Sequence, residues 1–151
     1  MTAPPFTLRA YREADEAAAI ELWRRTWQIA YPKLDFNERV AWWRERWRSE
    51  LVPKAQITVA DAAGNLIGFV TIEPATGYLD QIVVAPEHWG GALADSLVRE
   101  AKCISPKQVT LHVNTDNTRA IRFYEKQGFV VAGEEKNPRS GAPIYRMTWT
   151  A

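Results

Sequence analysis

Alternating apolar and polar residues predict a series of short strands along the chain. Val109–Val113 shows the pattern clearly, because every second side chain is apolar and would face a core. The runs Gln56–Asp61 and Leu66–Glu73 flank an Ala-Gly-Asn sequence that is typical of a β-hairpin turn. The remaining predicted strands are Phe6–Ala10, Gly77–Ala85, Phe129–Gly133 and, after a Gly/Pro turn at Asn137–Pro143, Ile144–Thr150.

Helical periodicity separates these strands. In Ala14–Ala30 the apolar residues recur every three or four positions, and charged residues occupy the opposite face. A second helix is predicted to begin at Asp35 or Asn37, either of which can cap it, and to end near Glu50. Two later helices are predicted, Gly91–Ile104 and the one that carries Tyr124. The order β-α-α-β-β-β-α-β-α-β-β predicts one α/β (α+β) domain over residues 1–151.

Composition restricts the classes of protein to which the chain can belong. Its 151 residues carry 19 Lys and Arg against 18 Asp and Glu, so no bulk charge would attract nucleic acid or an anionic membrane. A single cysteine, Cys103, excludes an internal disulfide, and His88 and His112 lack metal-ligand spacing, so we expect no metal. The N-terminus has prolines and charges instead of an apolar leader, and no apolar run reaches membrane-spanning length. We therefore expect a cytoplasmic protein.

Residues Val113–Phe129, VNTDNTRAIRFYEKQGF, combine a strand exit, a helix and a glycine stop. The Asn and Asp residues after Val113 are good helix caps, because their side chains accept hydrogen bonds from unpaired helix N–H groups. Gly128 stands where the helix needs a left-handed residue in order to end. Tyr124 would lie on the inward face of this helix, where it could supply a phenolic proton inside a cleft.

This segment resembles the late motif of the GNAT superfamily of acyl-CoA-dependent N-acetyltransferases, V-N-x-x-N-x-x-A-x-x-x-Y-x-x-x-G-F. The predicted order of elements is also that of the family, so the resemblance covers the whole chain. It implies a GNAT fold, in which a central mixed, mostly antiparallel sheet of about six to seven strands has helices on both faces and is splayed at the acyl-CoA cleft. All the fixed positions of the motif are filled, by Val113, Asn114, Asn117, Ala120, Tyr124, Gly128 and Phe129.

The resemblance assigns roles to two residues of the motif. Tyr124 would be the acid that protonates the leaving thiolate, and a phenol with an ordinary pKa near 10 is a reasonable donor for that step. Asn117 would bind the cofactor, which the resemblance identifies as acetyl-CoA, the acyl donor.

A second match to the family lies in residues 81–97, QIVVAPEHWGGALADSL. A strand that passes through Pro and a Gly-containing turn into a helix makes an anion site, because the first helix N–H groups are unpaired. In the family the turn reads R/Q-x-x-G-x-G/A and holds the CoA pyrophosphate. Here Trp89 replaces the basic or amide residue and Ala92 replaces a glycine, changes that keep the backbone donors. The implied cofactor site is Trp89, Gly90, Gly91, Ala92, Leu93 and Ala94.

The strand before this turn matches the family pattern L/I-x-V-x-P. In the family this strand splays from the next one, and its opened edge pairs with the amides of the pantetheine arm. An unpaired strand edge needs hydrogen-bond partners, and a peptide-like arm supplies them. The residues implied here are Ile82, Val83 and Val84, through their backbone groups.

The sequence leaves the general base open. His112 lies twelve residues before Tyr124, at a place that holds a glutamate base in the branch of the family that acetylates protein N-termini. A histidine there can accept a proton directly or through water, and it can equally be a hydrogen-bonded structural residue. Asp80 and Glu73 are alternatives that would act through a water chain. Many members of the family need no dedicated base.

The resemblance places the acceptor pocket beneath the first two helices and their loop. Trp27, Tyr31 and Trp42 map to this region, and Asp80 is expected to face it. Trp43 falls on the apolar stripe of the second helix, whereas Trp42 lies among charged residues. An aromatic side chain on a polar face indicates a ligand wall or a subunit contact.

The sequence thus predicts an acetyl-CoA-dependent N-acetyltransferase that acts on a primary amine by direct attack. The acceptor would be a small-molecule amine or a peptide N-terminus, without nucleic-acid or membrane partners, and homodimers are common in the family. One alternative is a non-catalytic acyl-CoA-binding or sensing domain, which the altered Trp89–Ala94 turn would permit. The other is a GNAT enzyme with a different acyl donor or a hydroxyl acceptor.

Overall fold

The computed structural model of the chain describes residues 6–151, which form a seven-stranded sheet with packed helices. Residues 1–5, which belong to the segment where no apolar leader is expected, lie outside the described residues. The strands are β1 Thr7–Ala10, β2 Gln56–Ala62, β3 Asn65–Glu73, β4 Tyr78–Val84, β5 Gln108–Asn114, β6 Val130–Lys136 and β7 Pro143–Thr150. The helices are α1 Glu16–Ala30, α2 Val40–Arg46, α3 Val52–Lys54, α4 Leu93–Ile104 and α5 Thr118–Lys126.

The sheet has the strand order β1-β2-β3-β4-β5-β7-β6. Every neighbouring pair is antiparallel except β4 and β5, which are parallel because α4 carries the chain back across the sheet between them. The arrangement confirms the predicted fold class, a mixed and mostly antiparallel sheet with helices.

The parallel pair β4–β5 is joined at one position only. Tyr78 is in register with Thr110, whose backbone N–H also donates to the carbonyl oxygen of Gly77 across 2.9 Å. A side chain at Gly77 would meet the carbonyl oxygen of Gln108 at 2.6 Å, so glycine is needed for this close approach. Beyond this bridge the two strands diverge, and the predicted splay of the sheet is confirmed. We call this region the β4–β5 split.

Helices cover both faces of the central strands. Trp47, which follows α2, packs edge-on against Phe69 of β3 with ring centroids 5.3 Å apart. The neighbouring residue, Gly68, faces the opposite side, where a Cβ atom would lie 3.1 Å from Leu93 of α4. Consecutive residues of β3 therefore contact the turn that follows α2 on one face and α4 on the other, and a core forms on each side.

The second predicted helix is interrupted. α2 continues into a π-helical turn at Trp47–Leu51 and then into the short α3. Pro53, inside α3, has no backbone N–H and cannot donate a hydrogen bond to a carbonyl oxygen of the preceding turn. The loss of this donor accounts for the widened turn before it. Trp43 and Trp47 are 1% and 0% exposed, as their apolar stripe predicts.

Within residues 6–151, no helix is both long enough and apolar enough to cross a membrane.

Candidate active site

The β4 edge at the split has unpaired backbone groups. The N–H of Ala85 donates to Ile67 of β3 across 2.8 Å, and successive residues of a strand direct their backbone groups to opposite sides. Val84 and Ile82 therefore turn their N–H and C=O groups towards the split. Val83 turns its own towards β3, so two of the three predicted strand residues direct their backbone groups into the split.

The turn between β4 and α4 exposes the first amides of the helix. Gly90 has a φ angle of +82°, a conformation that favours glycine. The N–H of Gly91 donates to the carbonyl oxygen of His88 across 3.2 Å, so this amide is already used within the turn. α4 consequently begins at Leu93, two residues later than predicted, and the N–H groups of its first turn point out of the helix end.

Trp89 occupies part of the predicted cofactor edge. Its indole Nε1 donates to the carbonyl oxygen of Val84 across 2.8 Å, the group that the split leaves open. The guanidinium of Arg119, from the first turn of α5, lies 4.4 Å from the centroid of the Trp89 ring. Trp89 therefore contacts the site through its side chain, a contact that the sequence pattern did not indicate.

Tyr124 lies on the buried face of α5. It is 8% exposed, and its ring packs against that of Phe129 with centroids 5.7 Å apart. Burial disfavours the phenolate and raises the pKa of Tyr124 above its ordinary value. The hydroxyl therefore stays protonated over the physiological range, as a general acid requires.

Asn117 has a structural role. Its side-chain oxygen accepts a hydrogen bond from the N–H of Ala120 across 3.2 Å and so caps α5. Gly128, with a φ of +93°, ends the same helix in the left-handed region. The two residues fix the length of α5 and thus the position of Tyr124 relative to β5.

His112 is held by hydrogen bonds on both ring nitrogens. Nδ1 lies 2.8 Å from the hydroxyl of Tyr78 on β4, and Nε2 lies 3.1 Å from the Glu135 carboxylate on β6. Glu135 also bonds Arg146 of β7, the residue in register with His112. The ring therefore has no free nitrogen for the direct proton transfer considered from the sequence.

Two β-bulges assemble this group, and neither is visible in the residue pattern. The register shift at Asp80 brings Tyr78 onto the face of the sheet that carries His112. A second shift, between Val131 and Gly133, brings Glu135 onto that face, where strict alternation would place Glu134. Sequence reasoning therefore missed Tyr78 and Glu135.

Asp80 is committed to an ion pair. Both of its oxygens accept hydrogen bonds from the guanidinium of Arg46, one of them at 2.9 Å, and its side chain is 13% exposed. The pair raises the pKa of Arg46 above its ordinary value, with the hydrogen bond to Asp80 as the largest cause. Asp80 thus joins α2 to the split, and both of its oxygens already accept hydrogen bonds from Arg46.

Two of the predicted acceptor residues stack at the end of α1. The rings of Trp27 and Tyr31 are nearly parallel, with centroids 5.6 Å apart. The Tyr31 hydroxyl accepts from Asn114 across 2.9 Å and bonds Asp116 across 3.3 Å, which joins the α1 end to the end of β5. The structure thus brings Tyr31 to the strand that carries His112.

Trp42 is half-buried and faces the loop between β6 and β7. The guanidinium of Arg139 lies over its ring at 3.8 Å from the centroid. A contact within the chain therefore covers part of the Trp42 ring, which was expected to form a ligand wall or a subunit contact.

Two cavities, of about 270 and 290 Å³, lie between β1 and α4, away from the split. Cys103, which is exposed, lines the first of them. These cavities therefore do not form part of the site at the split.

Comparisons with known proteins agree on one family. Residues 17–129 match the model of the acetyltransferase (GNAT) family. The peptidyl-lysine N-acetyltransferase YjaB of Salmonella typhimurium is 29% identical over 138 residues, which cover 90% of this chain and 91% of that protein. The spermidine N(1)-acetyltransferase of Vibrio cholerae is 34% identical over 88 residues, 52% of this chain and 50% of that protein.

Solved structures share the fold. The crystal structure of the PaiA N-acetyltransferase of Thermoplasma acidophilum, in complex with coenzyme A, matches with a TM-score of 0.75 at 22% identity, over 100% of both chains. The family match spans most of the chain and includes the motif that carries Tyr124. The chain belongs to the GNAT family of acetyltransferases and is an acyltransferase that carries an acetyl group to an amine.

Proposed function

We propose that this enzyme transfers the acetyl group of acetyl-CoA to the side-chain amine of a lysine residue, within the β4–β5 split. The observation that carries the proposal is the single backbone bridge between β4 and β5, which leaves a peptide-like edge open beside the first turn of α4.

The residues at the split fit acetyl-CoA as the acyl donor. The backbone groups of Ile82 and the N–H of Val84 suit the amides of a pantetheine arm, and the first N–H groups of α4 suit a pyrophosphate. The PaiA structure, which has the same fold, contains coenzyme A. The donor supplies an acetyl thioester, and the protein supplies the groups that orient it.

Direct attack requires an acid at the leaving group. The amine nitrogen forms a bond to the acetyl carbon while the C–S bond breaks, and the thiolate that leaves takes a proton from the Tyr124 hydroxyl. Tyr124 is left as a phenolate and regains its proton from solvent before the next turnover. Because burial keeps Tyr124 protonated, the proton is present when the thiolate forms.

The charges beside the split favour an acceptor with one amine. A polyamine would need carboxylates for its second ammonium group, and two of those beside the split, Asp80 and Glu135, already have the arginine partners Arg46 and Arg146. The Salmonella relative, a peptidyl-lysine N-acetyltransferase, matches this chain almost end to end, whereas the spermidine relative matches about half of it.

A panel of acceptors tests the proposal. Purified enzyme and acetyl-CoA are incubated with a blocked peptide that contains one lysine, with a lysine-free peptide that has a free N-terminus, and with spermidine, and free CoA is followed with a thiol reagent. We expect kcat/KM for the lysine peptide to exceed that for spermidine by at least about tenfold, a difference of roughly 1.4 kcal/mol in transition-state binding. Faster turnover of spermidine or of the free N-terminus would contradict the acceptor assignment.

A second pair of assays tests the donor and the nucleophile. Propionyl-CoA replaces acetyl-CoA with the best acceptor, and a peptide with serine in place of lysine replaces the amine. We expect acetyl-CoA with lysine to be the preferred combination. Turnover of the serine peptide would show a hydroxyl acceptor and overturn the proposal.

A further inference from the structure

We propose that the Tyr78 hydroxyl receives a proton from the acceptor amine and passes its own proton to Nδ1 of His112. Glu135 holds His112 in the tautomer whose Nδ1 can accept that proton. The inference rests on the proposed function, and it deepens the description of that site. It assigns the catalytic contact to Tyr78 and makes His112 and Glu135 residues that act through it.

The hydrogen bonds fix the direction of the relay. The Glu135 carboxylate can only accept, so the proton of neutral His112 lies on Nε2, 3.1 Å away. Nδ1 is then the acceptor, and the Tyr78 hydroxyl donates to it across 2.8 Å. The tautomer that receives a proton from Tyr78 is therefore the one that Glu135 selects, in the manner of a carboxylate behind a catalytic histidine.

The Glu135 carboxylate is the charged group that contacts the His112 ring. Glu135 contacts Nε2 from β6, and Arg146 of β7 holds the other oxygen of Glu135. From the β4 side, Tyr78 is the contact, and the paired groups Asp80 and Arg46 lie beyond it. Each carboxylate thus has an arginine partner, and Glu135 is the one that also contacts the imidazole.

The position of Tyr78 suits contact with substrate. It lies at the bridge where β4 and β5 separate, and it is half-buried, whereas both nitrogens of His112 are already occupied. The hydroxyl oxygen keeps a lone pair while its proton is donated to His112. Burial, with a contribution from the charge of Asp80, raises the pKa of Tyr78 to about 12, so a free phenolate does not form at neutral pH.

The step is balanced in atoms and charge. As the C–N bond forms, the nitrogen becomes acidic and one N–H bond breaks towards the Tyr78 oxygen. At the same time the Tyr78 O–H bond breaks towards Nδ1 of His112, which becomes imidazolium. Tyr78 ends neutral, and the His112 proton returns to solvent after product leaves.

Kinetics of Tyr78→Phe test the catalytic contact. We expect kcat for the lysine peptide to fall by at least about 100-fold, the usual range for a lost acid–base group, with KM little changed. We also expect the shape of the kcat–pH profile to differ from that of the wild type, because the amine proton would no longer pass through Tyr78. Tyr11→Phe is the matched control, since it removes a hydroxyl that bonds Trp47 across 3.0 Å far from the split. A Tyr78→Phe enzyme with unchanged kcat at every pH would overturn the relay.

The tautomer of His112 gives a readout that needs no turnover. The chain has two histidines, so nitrogen NMR of the wild-type imidazoles resolves both, with His112→Gln to assign them. We expect the proton of neutral His112 on Nε2, and a shift of that population in Glu135→Gln but not in Glu134→Gln, which changes the exposed neighbour on the opposite face. A proton on Nδ1 in the wild type would overturn the proposal even if Tyr78→Phe failed to fold.

The two proposals fail in different ways. If wild-type enzyme releases no CoA with any amine, the proposed function fails, whatever the tautomer. If wild-type enzyme acetylates the lysine peptide while Tyr78→Phe does so equally well at every pH, only the relay fails.

Discussion

Trp89 and Val84 are joined by a hydrogen bond at the β4 edge of the split. The indole Nε1 donates to the Val84 carbonyl oxygen at 2.8 Å, and that oxygen is one of the backbone acceptors that strand alternation directs into the open edge. In the family pattern, the place of Trp89 belongs to a basic or amide side chain. Trp89 therefore competes with a cofactor arm for the group that the arm would use.

Removal of this indole N–H should strengthen cofactor binding. Trp89→Phe keeps an aromatic ring beneath Arg119 and frees the Val84 carbonyl. A net hydrogen bond contributes about 0.5–1.5 kcal/mol, so the Kd for acetyl-CoA should fall by about 2- to 10-fold in calorimetry. Trp149→Phe is the matched control, because the Trp149 ring also faces a cation, Lys102 at 4.7 Å, but lies elsewhere. Weaker binding by Trp89→Phe would show that the indole N–H assists the cofactor instead.

Gly90, which has a left-handed backbone conformation before α4, should be needed for the binding of acetyl-CoA. Gly90 and Gly141 have φ angles of +82° and +73°, and a Cβ atom at either would meet nothing within 4 Å. Alanine at each position should cost about 1–2 kcal/mol of unfolding free energy from backbone strain alone. Only Gly90→Ala should also weaken acetyl-CoA binding, because it tilts the turn that aims the α4 amides. Equal Kd values for the two variants would exclude a role for this turn.

Loss of the Tyr124 hydroxyl should slow chemistry more than binding. Tyr124→Phe preserves the packing against Phe129 and removes the proton donor, so kcat should drop by about 10²–10⁴-fold with a small change in the Kd for acetyl-CoA. Stopped-time assays with the lysine peptide measure the former and calorimetry the latter. An acceptor with full turnover in Tyr124→Phe at every pH would rule out Tyr124 as the acid.

Alkaline pH should destabilise the fold through two tyrosines. Burial raises the pKa of Tyr78 to about 12 and that of Tyr124 above the ordinary value of 10, so the folded state holds these protons longer than the unfolded chain. Their contribution is present below about pH 10 and is lost as pH rises through the folded values. Urea unfolding between pH 9 and about 12 should therefore show a shallower loss of stability in Tyr78→Phe than in the wild type. Parallel curves would mean that Tyr78 titrates normally in the folded protein.

Asp80 should prove structural and not a base. Asp80→Asn breaks a paired arrangement with Arg46 and should cost about 1.5–3 kcal/mol in urea unfolding, while the acidic limb of the rate profile is retained. Asp15→Asn is a matched comparison, because Asp15 is buried and accepts from Arg9 at 2.8 and 2.9 Å far from the split. Loss of the acidic limb in Asp80→Asn alone would return Asp80 to the list of bases.

The sequence predicted the elements well because their signals are local. A period of two revealed β5, a cap at Asn117 and a stop at Gly128 bounded α5, and the motif at Tyr124 indicated the family. The same rules failed where one residue interrupts the period. Pro53 widens the helix after Trp47, an effect that helical periodicity alone did not reveal.

The site was harder to predict because its hydrogen bonds join distant segments. His112 was identified as a candidate, but Tyr78 lies 34 residues away and Glu135 lies 23. Both side chains reach His112 because of β-bulges. Each bulge changes which residues of its strand lie on the face that carries His112. Strict alternation would have selected Glu134 over Glu135. Arg46, the partner of Asp80, and Arg139, the partner of Trp42, were not predicted either. Each of these contacts joins segments that are distant in the sequence.

Because a single bridge joins β4 and β5, the acyl donor would take the place of a strand in the gap between them. A ligand that pairs with the edge of Ile82 and Val84 would fill the gap between two otherwise well-paired halves of the sheet. Such a ligand binds the folded chain alone, so at 100 times its Kd it would add about 2.7 kcal/mol to the unfolding free energy. The stability of the folded enzyme would then depend on the concentration of its own substrate. A low concentration of acetyl-CoA would both stop turnover and lower the free energy of unfolding.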